Sequence, residues 1–252
     1  MKAGIIPPLL LGAGLTVAWE GYVRLASIDP LLLPPPSAVV RFLVRNPGTF
    51  GRNGAATLSE LLVGITFGIL IGLSLGILMQ VWHWFRLATY PWLVATQMVP
   101  IPAVAPILVL WFGFTIVPKA ATVALMCFFP VAVSTVDGLG SVNPELIRLM
   151  RTFGAGPWRV MSMAALPSAL PRIFSGIRVA MALSVIGAVV GEWVGSTKGL
   201  GYLMLHYENR GETDGLFATV AVLIAMGIVL FFIVGWAENL ALPWRRHAKE
   251  TL

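Results

Sequence analysis

Apolar residues run along this chain in long uncharged stretches, with charged and turn-forming residues gathered between them. A transmembrane helix needs roughly 20 consecutive, mostly apolar residues. Six stretches reach or approach that length, so we expect a polytopic, all-α membrane protein with about six spans. The first covers about 3–25, the second runs from just after Glu60 to 85, and the third is one helix that shares 87–118 with a loop. The fourth, fifth and sixth cover about 120–136, 173–193 and 215–237.

The composition favours burial in lipid. Of the 252 residues, 58% are hydrophobic and 11% are charged, whereas a soluble domain carries about 25% charged residues. This shortfall excludes a disordered chain, a coiled coil and an ordinary soluble domain. The net charge of +6 would suggest nucleic acid in a soluble protein, but here the charges flank apolar runs and indicate anchoring at a membrane surface. The single Cys127 excludes a disulfide framework and a zinc site built on several thiolates.

The ends of the chain and the loop charges predict its orientation. Lys2 and the apolar run behind it could be a removed signal peptide, but no clear small-x-small cleavage site follows, so we expect a retained first span. With the N-terminus inside, ten Lys and Arg residues lie in inner segments and seven in outer ones. This bias, and the anchor Trp244-Arg245-Arg246, predict that both termini are cytoplasmic. After Pro34–Pro36, which a helix cannot continue through, residues 37–46 are expected to form a short surface helix.

Two spans carry unusual small residues or prolines. Glycines recur every fourth position in the second span, at Gly64, Gly68, Gly72 and Gly76. Such a stripe permits close helix packing, either fixed or sliding during a conformational cycle. The third span carries three prolines in seven residues, which should bend or break it and place it in protein or along a wet cavity. We hypothesise a static kink or a transport pathway, the latter with Gln97, Met98, Pro100 and Pro102 as candidate pathway residues.

An acidic residue stands near the end of the fifth span, in Gly191-Glu192-Trp193. Carboxylates within a membrane usually face a bundle interior or water, because a charge in lipid is costly. Glu192 is therefore a structural partner or, together with Trp193, a pathway residue.

The segment between the fourth and fifth spans contains a strong helix start. Asn143 can act as the N-cap, Pro144 takes the first helical position, and Glu145 adds negative charge to the first turn. The helix should run to Phe153, with Leu146, Met150 and Phe153 on one face, and the turn at 154–157 should end it. A second helix is expected from Trp158 to about 165, stopping before Leu166-Pro167. This basic helix-turn-helix either lies on lipid or docks into a groove of a partner.

The spacing of this segment resembles a known family. Gly154, nine residues and then Ala164-Ala165-Leu166-Pro167 are similar to the EAA loop of binding-protein-dependent ABC importer permeases. The Gly and Leu-Pro positions match in register, while Arg148, Leu149 and Met150 stand where the Glu-Ala-Ala half would be, and Ala164 stands where that loop has Ile.

Other segments extend the resemblance over residues 30–245. The stretches 33–39, 105–113 and 197–202 look like the nitrate, sulfonate and taurine type of permease. Residues 145–155 and 190–195 are similar to the branch for thiamine-precursor pyrimidines or riboflavin.

The resemblance implies a type I ABC importer transmembrane domain, a single permease domain of 1–252 with its core at about 55–240, in a bacterial inner membrane. Two permease subunits, expected to be two copies of one chain, would form the pathway. Two ATPase subunits, carrying ATP and Mg²⁺, would dock on the loop, and a periplasmic or lipid-anchored binding protein would deliver a small polar solute. The implied docking residues are Glu145, Arg148, Arg151, Phe153, Gly154, Trp158, Leu166 and Pro167. Arg148 and Arg151 would pair with acidic ATPase residues or with anionic lipid.

Two other classes of function remain as alternatives. An ion-driven secondary transporter would favour inverted repeats and carboxylates near the midplane, for which only Glu192 and Glu20 are candidates. An integral-membrane enzyme would need clustered ionisable groups, and the three histidines fall in loops or at predicted helix ends. We expect no catalytic residue, no metal and no cofactor on this chain. The chain itself should not hydrolyse ATP, since the phosphate-binding pattern Gly-x-x-x-x-Gly-Lys-Ser/Thr is missing from the sequence.

Overall fold

The computed structural model describes residues 6–243, and this part of the chain consists of helices and short connections without a β-strand. The predicted all-α fold class is therefore confirmed. In chain order the helices are α1 (Ile6–Leu25), α2 (Pro36–Arg45), α3 (Pro47–Val81), α4 (His83–Ala95), α5 (Ile101–Phe112), α6 (Ile116–Gly140), α7 (Pro144–Thr152), α8 (Pro157–Val160), α9 (Leu166–Gly195), α10 (Leu200–Arg210) and α11 (Thr213–Ala241). The predicted C-terminal anchor at 244–246 lies outside the described residues.

Four helical segments of the described chain are long and apolar enough to cross a membrane: α3, α6, the continuous run Pro157–Gly195 and α11. A fifth span exists if α4 and α5, which are bent by 98° at a short break, count as one broken helix. Six spans were expected. The first, α1, forms a 20-residue helix but is not one of these segments.

The chain divides into two compact units, and α3 and α11 each contribute to both. The first unit comprises residues 6–57 and 197–225 within the described chain. Its surface helix α2 confirms the helix expected at 37–46. Glu20 accepts hydrogen bonds from the backbone N–H (2.9 Å) and the hydroxyl (2.8 Å) of Ser37. The carboxylate therefore caps α2, whose N-cap position holds Pro35 and supplies no side-chain cap.

The short helix α10, which was not predicted, is held by side chains of α3 in the same unit. Asn53 Oδ1 accepts a hydrogen bond from the Gly199 N–H, and Thr57 Oγ1 accepts one from the Leu200 N–H, both at 2.8 Å. Gly199 has φ +119°, a conformation that glycine adopts without strain. The Lys-Gly-Leu-Gly-Tyr stretch at 198–202 therefore begins a helix that α3 caps.

The second unit, residues 58–196 and 226–243, is built around α6. The glycine stripe of α3 lies directly against it, so closely that a Cβ added to Gly72 would come within 2.6 Å of the Phe128 carbonyl oxygen. Gly187 and Gly191 of α9 approach α6 equally closely, at Val123 and at Thr122. Helix α6 is thus held between two glycine-lined helices, and the close-packing interpretation of the stripe is supported. Cys127 is fully buried in this core.

We predict that Gly72→Ala destabilises the protein while Gly54→Ala does not. An added methyl group at Gly72 meets the Phe128 carbonyl oxygen and the Val131 side chain, and overpacking of this kind costs about 1–3 kcal/mol. Gly54, on the same helix, has nothing within 4 Å of the added carbon, so alanine there should be neutral or stabilising by up to about 1 kcal/mol. Thermal unfolding of the detergent-solubilised variants measures the difference, and equal melting temperatures would contradict the packing role.

Candidate functional site

The helix start in the segment between α6 and α9 forms as predicted. Asn143 is the N-cap of α7, and its side-chain oxygen accepts a hydrogen bond from the Glu145 N–H at 2.8 Å. The helix ends before Gly154, whose φ of +80° places it in the left-handed region that disfavours residues with a Cβ. The Gly154 N–H donates to the Arg151 carbonyl and the Ala155 N–H to that of Met150, at 2.9 and 3.0 Å. The predicted glycine turn is therefore present.

The predicted apolar face of α7 is wrong. Met150 and Ile147, one turn apart, pack against the core cluster that contains Leu139 and Ala165. Leu146 and Phe153, which were expected to share a face with Met150, are exposed. The inward face is set by the position of α7 over the ends of α6 and α9, which the spacing of apolar residues alone does not reveal.

The outward side of this segment combines apolar and basic side chains. Phe153 and Trp158, on either side of the Gly154 turn, each expose 81% of their surface. The basic residues of α7, Arg148 and Arg151, are exposed as well. We call this surface the loop knob: Leu146, Arg148, Leu149, Arg151, Phe153 and Trp158. Two fully presented aromatic rings on a short connection are typical of a surface that docks into a partner.

The second helix of the segment does not stop before Leu166-Pro167, as was expected. Helix α8 continues through a π-helical turn, Met161–Ala165, directly into α9. Proline has no N–H to donate to the preceding turn, and the wider π turn lies immediately before it. Leu166 and Pro167 thus mark the join between the segment and the span, as the motif implied, but the join is continuous helix.

The predicted break in the third span is confirmed. Between α4 and α5 the chain passes through a 3₁₀ turn, Thr96–Met98, and an extended Val99 and Pro100. We call this region, 96–104, the elbow. Gln97 and Pro100 line a cavity of about 450 Å³ between the elbow and α6. Met98 and Pro102 are exposed beside it and do not line it.

Glu192 and Trp193 lie elsewhere in the second unit. Glu192 is only 1% exposed, and its neighbour Gly191 packs against the backbone of Lys119. Trp193 points outward and is about half exposed. Neither residue lines the elbow cavity, so the predicted pathway residues do not form one contiguous site on this chain.

The sequence did not reveal a buried ion pair near Glu192. Lys119, at the start of α6, donates to Glu60 Oε1 of α3 at 2.7 Å and to the Ser196 hydroxyl at 2.9 Å, just beyond α9. Lys119 is 5% and Glu60 2% exposed. Glu60 Oε2 has no hydrogen-bond partner within the described part of the chain. Both charges stand at the edges of uncharged runs, and nothing in the sequence pattern connects the two. For Glu60 the signal was its position four residues before Gly64, in line with the glycine stripe of α3.

In residues 6–243, no three His, Cys, Asp or Glu side chains come together in a way that could hold a metal ion. What the structure presents is a set of apolar spanning helices, one of them broken, and an exposed helical knob. That combination defines an integral membrane subunit of a larger transport assembly.

The chain belongs to the family described as binding-protein-dependent transport system inner membrane component, whose model matches residues 64–246. It is 38% identical over 242 residues to the formylaminopyrimidine transport permease protein ThiX of Halalkalibacterium halodurans, covering 96% of both chains. It is 35% identical over 232 residues to the riboflavin transport system permease protein RibX of Chloroflexus aurantiacus, covering 91% of this chain and 87% of the relative. Among solved structures, an inward-facing MetNI methionine ABC transporter matches with a TM-score of 0.62 and 19% identity, over 84% of this chain and 97% of that one.

The family confirms the resemblance found in the sequence. The chain is a permease subunit of an ABC importer, a non-catalytic transport component of the inner membrane that crosses it several times. Membership of this family implies ATPase and substrate-binding partners. The two alternatives, an ion-driven transporter and a membrane enzyme, are set aside by it.

We predict that Lys119→Met is strongly destabilising and that Lys119→Met combined with Glu60→Met recovers most of the loss. Removing one member leaves a buried charge without its partner, which costs about 3–5 kcal/mol, whereas replacing both by apolar residues is often neutral. Thermal unfolding of the purified variants provides the measurement. Arg86→Met removes an exposed cation of α4 and should shift stability by less than about 0.5 kcal/mol. A double variant as unstable as the single one would refute the pairing.

Proposed function

We propose that the loop knob is the surface through which this permease is driven by its ATPase partners. Two ATPase subunits would each receive one knob from a pair of permease copies, and Phe153 and Trp158 would be the anchors in the receiving groove. The observation that carries this proposal is the 81% exposure of both residues on either side of the Gly154 turn. ATP and Mg²⁺ would be held by the ATPase subunits.

The charges of the knob suit the same role. Arg148 and Arg151 lie on the exposed side of α7 and would pair with acidic residues of the ATPase, and Glu145 would remain at the rim of the contact. Lipid headgroups are the competing partner for the two arginines. The exposed aromatic rings favour a protein groove, because such rings are common energetic centres of protein interfaces.

The continuity of the loop with α9 supports a mechanical coupling. Residues 157–195 form one helical run, so a displacement of the ATPase would be passed through the π turn and Leu166-Pro167 to the membrane-spanning part. Closure of the ATPase pair on ATP would then switch the two permeases from an inward-facing to an outward-facing state. A periplasmic or lipid-anchored binding protein would release its solute into the outward-facing state.

The pathway is proposed to run along the elbow, at the interface of two copies of the chain. Gln97, Met98, Pro100 and Pro102 would face it, because the elbow is the part of the second unit where the helix is interrupted and polar backbone is available. Trp193 would border it, while Glu192 would support it from within the bundle. The substrate is proposed to be a small polar solute such as a pyrimidine vitamin precursor, riboflavin, a sulfonate, taurine or nitrate.

We predict that Gly154→Val abolishes ATP-driven uptake and leaves membrane insertion intact. A β-branched residue is strained at φ +80°, so the turn would rearrange and Phe153 and Trp158 would no longer be presented together. Gly156→Val serves as the control, because Gly156 has an ordinary φ of −73° and nothing within 4 Å of an added Cβ. Uptake by proteoliposomes that contain the full transporter is the measurement. Uptake at the wild-type rate by Gly154→Val would contradict the coupling role.

We predict that both termini face the cytoplasm. A green fluorescent protein fused to the C-terminus should fluoresce, and alkaline phosphatase fused there should be inactive. Phosphatase fused after Gly211, at the end of α10, should be active, because that segment is expected on the outer side. Phosphatase activity at the C-terminus would overturn the orientation.

A further inference from the structure

The elbow cavity has the size of a small-molecule site. It measures about 450 Å³, and ligand pockets in proteins commonly measure 300–1,000 Å³. Its walls come from the 3₁₀ turn, the beginning of α5 and one face of α6. All of these elements belong to the same compact unit, so the cavity is a property of one chain.

None of the nine residues that line this cavity carries a charge. A sulfonate or nitrate entering it would lose water without gaining a counter-charge, and burying an unpaired anion is costly. A helix N-terminus can bind anions through its free N–H groups, and α5 begins at this cavity. There, however, Pro100 and Pro102 have no N–H, and the Ala103 N–H already donates to the Pro100 carbonyl at 2.9 Å. Of the first three helical positions only Ile101 keeps a free N–H, so the start of α5 offers an anion one backbone donor and no counter-charge.

The lining does offer groups that suit a flat, uncharged ring with polar edges. The Gln97 side chain can both donate and accept hydrogen bonds. The Thr96 hydroxyl donates to the Leu93 carbonyl at 2.6 Å, which leaves its oxygen free to accept. Met126 and Phe128 of α6 contribute to the opposite wall, and thioether and aromatic groups pack favourably on ring faces.

We infer that the elbow cavity is a binding site for uncharged, planar heteroaromatic solutes, and that it excludes sulfonates and other anions. This inference rests on the proposed function in one respect, since it takes the elbow to face the pathway. It goes beyond that proposal because it places a selective site within the membrane part of the permease and excludes part of the proposed list of substrates.

The test is direct binding to the purified permease–ATPase complex in nanodiscs, without the binding protein. Four probes are used: formylaminopyrimidine and riboflavin, which are uncharged, flavin mononucleotide, which is riboflavin with a phosphate, and taurine, which carries a sulfonate. We expect at least one uncharged probe to bind. Flavin mononucleotide should bind at least about tenfold more weakly than riboflavin if riboflavin binds, and taurine at least about tenfold more weakly than the better uncharged probe.

A cavity-filling variant locates the site. Val104→Trp places a large side chain into the cavity, because Val104 lines it, and binding of the uncharged probe should be lost. Leu110→Trp is the matched control on the same helix, at an exposed position outside the cavity, and it should bind as the wild type does. Gln97→Ala should weaken binding by about 2- to 10-fold, the effect of losing one hydrogen bond.

Three results would overturn the inference: charged probes binding as tightly as uncharged ones, no binding of either uncharged probe, or unchanged binding by Val104→Trp. Stimulation of the wild-type ATPase by the loaded binding protein is measured in parallel. If that stimulation is present while one of the three results is obtained, the inference fails and the proposed function stands. If the stimulation is missing from the wild-type complex, the proposed function itself fails.

Discussion

The close approach of α3 and α9 to α6 is the constraint on which the second unit depends. In lipid the surroundings of a helix are as apolar as its interior contacts, so the hydrophobic effect gives helices little reason to associate. Association must come from dense van der Waals contact and from polar groups that find partners. Glycines on both neighbouring helices supply the dense van der Waals contact, since they bring α3 and α9 almost onto the backbone of α6. The paired polar groups lie at one end of the same three helices and are Lys119, Glu60 and Ser196.

This packing makes α6 a rigid helix between two regions that are proposed to move, the loop knob and the elbow. One end of α6 leads through Gly140 into the loop knob, and the face of α6 that carries Leu125 and Met126 borders the elbow cavity. A tightly packed core responds to force by shifting as a unit, because packed interfaces deform poorly. A displacement delivered at the knob would therefore reach the elbow as a movement of whole helices. The π turn before Leu166-Pro167 is the point in the run 157–195 where the helix geometry departs from the regular α form, and such turns are common at functional sites.

The features predicted well from the sequence are those that depend on local backbone chemistry. Asn143 and Pro144 begin a helix, Gly154 adopts a positive φ, and the prolines at 100 and 102 stand at the break of a span. The features that were missed depend on how helices are placed. The Lys119–Glu60 pair joins residues 59 positions apart, and the inward face of α7 follows from the location of the helix over the core. Helix α10 was not predicted because it is short and mixes polar with apolar residues. Its start is capped by Asn53 and Thr57, which lie more than 140 residues earlier in the chain.

The motif that carries the family resemblance shows the same division between local backbone features and features that depend on helix placement. Its glycine and Leu-Pro positions have a backbone role that the structure explains, the turn and the join to α9. The positions where this chain has Arg148, Leu149 and Met150 instead of Glu-Ala-Ala are ordinary helix, which does not require particular residues: two of the side chains are exposed, and Met150 packs inward. Substitution at Arg148 or Leu149 changes what the knob presents, whereas Met150 helps to seat α7 on the core. A partner that receives this knob must therefore accommodate two cations on α7, and the chemistry of its groove should differ from that of a partner selected for a Glu-Ala-Ala loop.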